Sequence, residues 1–159
     1  MPPKAVIPLE SIDLEDVLMD RAEIRKTNAH RFEMEQIDAV CMLDHENRRV
    51  AGWRDVRDDE FWVRGHIPGR PIFPGVLMIE ASAQLCSVMY YKVLNPGAET
   101  FFGFAGVDEV KFRGSVVPGD RIVFAATLLK YRPHRCTFQT QAFVNGEMKF
   151  QGLITGMGV

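Results

Sequence analysis

The sequence predicts an α+β fold, one antiparallel sheet wrapped around a single long helix, and three observations carry that expectation. Between Gly65 and Gly75 the prolines at 68, 71 and 74 recur every third residue. They fix φ repeatedly and remove backbone donors, so this stretch is a stiff, extended loop that cannot be helical. Directly after it come helix formers, Leu77, Met78, Glu80, Ala81, Ala83, Gln84 and Leu85, which place a long helix from Gly75 or Val76 to about Tyr91. That helix is apolar or small nearly all round, as expected when a sheet encloses it. Beyond the stop signal Asn95-Pro96-Gly97, residues 101–112, 121–131, 136–144 and 147–155 read as a meander of strands, punctuated by Pro118-Gly119-Asp120, Arg132-Pro133-His134 and Asn145-Gly146. Asn145-Gly146 suits a tight hairpin because both residues tolerate positive φ.

Ahead of the helix, residues 1–10 carry Pro2, Pro3 and Pro8 and read as a loose leader. Ser11-Ile12-Asp13-Leu14-Glu15 offers an N-cap and a capping-box glutamate before Leu14, Val17 and Leu18, predicting a short helix near 11–19. Residues 20–35 are polar and read as loop. Residues 37–43 and 49–56 are β-formers broken by Asp44-His45-Glu46-Asn47-Arg48, hence two strands and a hairpin. Phe61, Trp62 and Val63 then anchor the start of the Pro-rich loop. With no internal repeat or linker, residues 1–159 are expected to form a single domain, 1–27 being the leader and short helix.

Composition narrows the function. A chain of 159 residues with 47% hydrophobic and 25% charged residues can bury a core without staples. Nineteen basic against twenty-one acidic residues leave a formal charge of −2, which supplies no field for nucleic acid or an anionic membrane. Cys41, Cys86 and Cys136 have neither metal-site nor disulfide-framework spacing and read as buried free thiols. No apolar run is long enough to span a bilayer and no signal-peptide plan opens the sequence, so a cytoplasmic protein is expected.

The chemistry gathers around the Pro-rich loop. His66, on rigid backbone, has the pKa range of a general base. The first turn of the helix presents unpaired amides at Gly75, where the missing Cβ lets a ligand approach and a developing oxyanion could be held. Glu80, on an otherwise apolar helix, is expected to have a raised pKa and to act as an acid; the bland alternative is an ion pair with Arg70. Glu80, Ala83, Gln84 and Ser87 share one face, and Gln84 either orients the Glu80 carboxyl or is simply packed. His30-Arg31 reads as a solvated loop pair, and His45 and His134 fall in exposed turns. No cluster has the spacing of metal ligands.

The run Gly65-His66-x-Pro68-Gly69-x-Pro71-x-x-Pro74-Gly75-Val76-Leu77, followed by Glu80-Ala81-x-Ala83-Gln84, resembles the signature of the β-hydroxyacyl-(acyl carrier protein) dehydratases of fatty-acid synthesis. His30-Arg31-Phe32 through Ile37-Asp38 is similar to that family's N-terminal His-Arg-aromatic segment, and Val116-Val117-Pro118-Gly119-Asp120 to its later turn. The resemblance spans residues 28–155 and implies a hotdog fold. It implies dehydration of a (3R)-3-hydroxyacyl thioester to the trans-2-enoyl thioester, with His66 as base, the Gly75 amide holding the oxyanion and Glu80 as acid. It also implies a substrate carried on the phosphopantetheine of acyl carrier protein, no metal or other cofactor, and a homodimer whose sites take His66 from one subunit and Glu80 from the other, with a trimer of dimers as the larger assembly.

An acyl tunnel is expected to be lined by Phe73, Tyr90, Phe102 and Phe104, plain core packing being the alternative. Lys111, Arg113 and Arg121 either meet the acidic carrier or form an ordinary basic edge. Two departures, Glu33-Met34-Glu35-Gln36 in place of a Pro-Phe and aliphatic run and Arg70 in place of Asn, bear on the substrate more than on the reaction. Glu80, where the isomerising branch has Asp, points to a plain dehydratase. The rival readings are an acyl thioesterase on the same scaffold and a noncatalytic acyl-thioester binder.

Overall fold

Six strands, β1 (Ala39–Asp44), β2 (Arg49–Asp55), β3 (Phe102–Phe112), β4 (Arg121–Arg132), β5 (Arg135–Val144) and β6 (Glu147–Gly158), form one sheet in the order β1-β2-β4-β5-β6-β3. Every pairing is antiparallel. The structure is a computed structural model that describes residues 1 and 3–159. The strands start and stop where the sequence breaks: Asn145 and Gly146 take φ of 49° and 78° in the β5–β6 hairpin, the pair of left-handed residues that matches strand twist. At the start of β4, Gly119 takes φ 100° and the Asp120 carboxylate accepts from the Val117 amide at 2.9 Å.

The long helix α2 (Gly75–Met89) begins at the end of the proline spacing and continues as a π-helical turn, Tyr90–Leu94, up to the predicted Asn95 stop. It packs on β2, β4, β5 and β6. Met78, Ala81, Leu85, Val88 and Met89 of α2 meet Val50, Ile122, Phe124, Phe138, Phe150 and Ile154 of the sheet in one core. Burying each larger side chain contributes about 1.5–3 kcal/mol, which is why a helix with so few charged residues is held. Gly52 lies beneath it, where a Cβ would come within 2.5 Å of the Ala39 carbonyl oxygen and 3.2 Å of Leu85. Only glycine lets β1, β2 and α2 approach so closely.

The N-terminal part departs from expectation. There is no helix over 11–19; a single 3-10 turn, Leu9–Ser11, comes earlier, and the short helix α1 (Arg21–Ile24) comes later, capped by the Asp20 carboxylate accepting from the Glu23 amide. The apolar residues at helical spacing do not share a partner: Leu14 packs on the outer face of the sheet, whereas Val17 and Leu18 are each 47% exposed. Nor is the leader loose, although Pro2 lies outside the described residues. Ile7 is buried against Cys41, Ala51 and Ala125 on the outer face. The Gln141 side chain accepts from the Val6 amide at 2.8 Å and donates to the Lys4 carbonyl at 3.0 Å. This strap covers sheet that would otherwise be wet, a long-range partnership that local periodicity does not encode. Residues 20–35, read as loop, hold α1 and a 3-10 turn at Phe32–Met34.

All three cysteines are free and buried. Desolvation pushes the thiols of Cys41 and Cys136 up to about 11 and that of Cys86 well above its ordinary value. None is expected to react with Ellman's reagent in the folded protein at pH 8, and all three are expected to react in denaturant; a rapidly titrating thiol in the native state would contradict this packing.

Candidate active site

The Pro-rich loop is fastened at both ends. The Gly65 and His66 amides donate to the Trp62 carbonyl at 3.1 and 2.8 Å, and the Phe73 amide donates to Val116 at 2.7 Å. Between them, Ile67 and Arg70 bond each other's backbone around Gly69 at φ 76°, and the Ile72 amide donates to the His66 carbonyl. Beneath the loop Trp62 meets Phe73 edge-on, with ring centroids 5.5 Å apart. This framework holds an exposed His66 ring with Nδ1 2.6 Å from the Ile72 carbonyl oxygen. A carbonyl can only accept, so Nδ1 carries the hydrogen and Nε2 keeps the lone pair that can take a proton.

The loop runs straight into α2. Pro74 supplies no side-chain cap, and the Gly75 and Val76 amides find no acceptor among the described residues. The Phe112 ring lies so close to Gly75 that a Cβ there would sit 2.8 Å from it. The space left by the missing Cβ is thus taken by Phe112, not left open for a ligand as the sequence suggested; the amides themselves stand at the positive end of the helix, where negative charge is favoured.

A turn and a half along, Glu80 faces a cleft of about 160 Å³ whose other walls include His30, Ala83, Ser87, Phe102 and Phe104. Glu80, Ala83 and Ser87 of the expected polar face of α2 thus form one wall, while Gln84 does not line the cleft. Glu80 does not pair with Arg70; its Oε1 lies 3.3 Å from His30 Nε2 and accepts from Gln84 Nε2 at 2.9 Å. The Gln84 amide is oriented by backbone: its Oε1 accepts from the Gln36 amide at 2.9 Å, and its Nε2 also donates to the Met34 carbonyl at 2.6 Å. Gln84 is thus both buried and hydrogen-bonded to the Glu80 carboxyl.

The Glu80 carboxyl is held below its ordinary range, chiefly by the His30 hydrogen bond and secondarily by Gln84, against an opposing push from burial. This reverses the sequence-based expectation of a raised value. The expectation treated Glu80 as a lone carboxylate on an apolar helix; the segment before β1 brings His30 to it and α2 itself supplies Gln84, and hydrogen bonding to the charged form outweighs desolvation.

The four predicted tunnel aromatics separate. Phe102 and Phe104 line the cleft. Tyr90 is buried behind it, stacked on Phe102 at 4.0 Å and 7°. Phe73 does not reach the cleft: it is 2% exposed, packed on Trp62 and under the Arg54 guanidinium at 4.9 Å, because it fastens the Pro-rich loop to the core. Of the predicted basic edge, Arg121 bonds Asp55 and stacks over Trp53 at 3.7 Å, and Arg113 bonds Gln151. His66 is not among the side chains lining the Glu80 cleft.

Two features escaped the sequence reading. His30 is a wall of the cleft and not a solvated loop residue; its place in the His-Arg-aromatic segment was the available signal. Arg54, 2% exposed, pairs with Glu60 and donates to Gln36 Oε1. Through Gln36 a continuous hydrogen-bonded chain runs from Arg54 to Gln84 and on to Glu80. Nothing in a single sequence marks one arginine of a strand as buried.

A family model described as a FabA-like domain matches residues 28–152, which include His30, His66, Gly75, Glu80 and Gln84. The chain belongs to the FabA-like family. Among its relatives, this FabA-like chain is 38% identical over 133 residues to the 3-hydroxyacyl-[acyl-carrier-protein] dehydratase FabZ of Teredinibacter turnerae, a match covering 82% of this chain and 90% of that one. The fold is shared with the dehydratase heterocomplex ApeI:P from Xenorhabdus doucetiae at TM-score 0.72 and 16% identity, covering 86% of this chain and 90% of that one. It is also shared with the fluoroacetyl-CoA thioesterase FlK at TM-score 0.58 and 14% identity, over 70% and 84% of the two chains. The architecture is the expected hotdog fold. Among the described residues of this FabA-like chain, no group of three His, Cys, Asp or Glu could hold a metal ion, and no helix is long and apolar enough to cross a membrane.

Proposed function

We propose that this protein is a 3-hydroxyacyl-[acyl carrier protein] dehydratase of fatty-acid biosynthesis, removing water from a (3R)-3-hydroxyacyl thioester to give the trans-2-enoyl thioester. One observation carries the reading: an uncapped helix N-terminus joins a loop histidine with a free Nε2 to a carboxylate facing an aromatic-walled cleft. His66 Nε2 takes the C2 proton. The Gly75 amide, with its neighbour, receives the charge that develops on the thioester oxygen, a stabilisation of about 3 kcal/mol if it resembles a typical oxyanion donor. The C3–O bond breaks as Glu80 gives its proton to the departing hydroxyl, which leaves as water, and both side chains reset by exchange with solvent.

Donation from His30 and Gln84 holds the Glu80 carboxyl below its ordinary range, so the acid form is favoured by substrate binding. An acyl chain filling the cleft strips water from the carboxyl, and desolvation favours the neutral form. The chemistry needs no redox cofactor or metal; the phosphopantetheine of acyl carrier protein delivers the acyl group. The cytoplasm, where that carrier and its substrates are expected, is the proposed location.

The separation of His66 from the Glu80 cleft supports a homodimer in which each site takes His66 from one subunit and Glu80 from the other. The exposed edge strand β3, carrying Phe104, Val107 and Phe112 at 38–49% exposure, is a surface that association would cover; further assembly to a trimer of dimers is compatible with it. Mixed dimers of His66→Ala and Glu80→Ala chains, each inert alone, are expected to recover part of wild-type activity by forming one intact site. Demonstrably mixed dimers with no recovery would refute the shared site. The reading itself is tested by mass spectrometry of 3-hydroxyacyl thioesters on acyl carrier protein: enoyl formation supports it, free thiol without enoyl product would establish a thioesterase, and binding without turnover an acyl-thioester binder.

A further inference from the structure

Two side-chain nitrogens converge on one oxygen of Glu80. Gln84 Nε2 and His30 Nε2 both contact Oε1, at 2.9 and 3.3 Å, whereas Oε2 has no protein partner among the described residues. The Gln84 amide cannot be turned round, because its oxygen is fixed by the Gln36 amide and its nitrogen by the Met34 carbonyl. Oε1 must therefore accept. When the carboxyl is neutral, its hydrogen has only Oε2 to occupy.

We propose that His30 is a positioning residue for Glu80, holding Oε1 together with Gln84 so that Oε2 alone faces the cleft as the proton-donating oxygen. Rotation of a carboxyl about its terminal bond is broad and nearly two-fold, so one donor leaves the group free to swing. Two donors from different parts of the chain, the segment before β1 and α2 itself, pin it. His30 Nδ1 is buried with no partner among the described residues, which leaves the ring's polar engagement to Nε2 and suits the tautomer carrying hydrogen there. Among the described residues, Cys86 is the only other titratable side chain lining this cleft, and burial keeps it a thiol. The direction of the Glu80 displacement agrees with the geometry, His30 being its largest cause.

The assignment rests on Glu80 being the acid of the proposed dehydration, but it has a readout that needs no turnover. Glutamate labelled with ¹³C at the carboxyl carbon allows the Glu80 titration to be followed by NMR in the substrate-free protein, its resonance assigned by loss in Glu80→Gln. The midpoint is expected to rise in His30→Ala and in His30→Leu. In His30→Gln, whose side-chain nitrogen can reach the position of the ring Nε2, it is expected to remain near wild type. On acyl carrier protein substrates, His30→Ala is expected to lower kcat about ten- to a hundredfold, the scale of a misplaced reacting group. KM should change far less, and His30→Gln should restore most of kcat. An unchanged Glu80 midpoint in a folded His30→Ala or His30→Leu protein would overturn the proposal, as would a His30→Gln protein matching His30→Ala in both measurements. If the wild type titrates as expected yet forms no enoyl product, the dehydratase reading fails while the positioning of Glu80 stands.

Discussion

His66→Ala is expected to lower enoyl formation by about 10²–10⁴-fold while leaving the fold intact. The ring is exposed, and it bonds the carbonyl six residues along, so little packing is lost with it. The loop that presents it is fastened by backbone bonds at Trp62, His66 itself and Val116, none of which needs the imidazole. Glu80→Gln should be comparably damaging for a different reason: the amide can be placed on the same donors but has no proton to give. Rates measured on acyl carrier protein substrates, beside circular dichroism of each variant, check both, and a Glu80→Gln enzyme dehydrating at the wild-type rate would remove Glu80 from the acid's role. Activity lost together with the circular dichroism signal would instead mean that the loop depends on the imidazole.

The second large effect is on stability. Arg54 is a buried cation whose partners, the Glu60 carboxylate and Gln36 Oε1, are themselves nearly inaccessible, with the Glu60 side chain 7% exposed. Arg54→Met preserves much of the volume but strands that carboxylate without its counter-charge, a loss of about 3–5 kcal/mol. For a chain of this size the midpoint of thermal unfolding should fall by roughly 10 °C. Adding Glu60→Gln to Arg54→Met removes the uncompensated charge and is expected to return part of the loss; a double variant no better than the single would mean that Arg54 acts through its contact with Phe73 instead. Because Gln36 links Arg54 to Gln84, the single variant should also lower kcat at temperatures where it remains folded.

Much of this was readable without coordinates, and the reasons are local. Proline spacing, the Asn95-Pro96-Gly97 stop and the Asn145-Gly146 turn act within a few residues, so β4, β5, β6 and α2 fall within three residues of the expected bounds. His66, Gly75 and Glu80 were legible because they share one short stretch. What was not legible depends on partners far along the chain. The helix expected over 11–19 gave way to a strap whose apolar residues satisfy a sheet face made from β1, β2 and β4. The Glu80 titration was misjudged because His30, fifty residues earlier, approaches it only in the folded molecule. Phe73 was expected among the tunnel aromatics, yet its neighbours Trp62 and Arg54 claim it for the core.

The clamp of Gln141 on Lys4 and Val6 also orders events in time. Residues 4–7 are synthesised well before their binding surface is complete, since Gln141 lies in the second half of β5. At about 5–20 residues per second, the segment bearing Ile7 waits on the order of ten seconds beside the growing chain before that surface is complete. During that interval its apolar side chains, and the outer sheet face destined for them, are without that clamp. The hydrogen bonds that fasten the strap can thus form only once β5 has been made, and any delay in making β5 postpones that fastening.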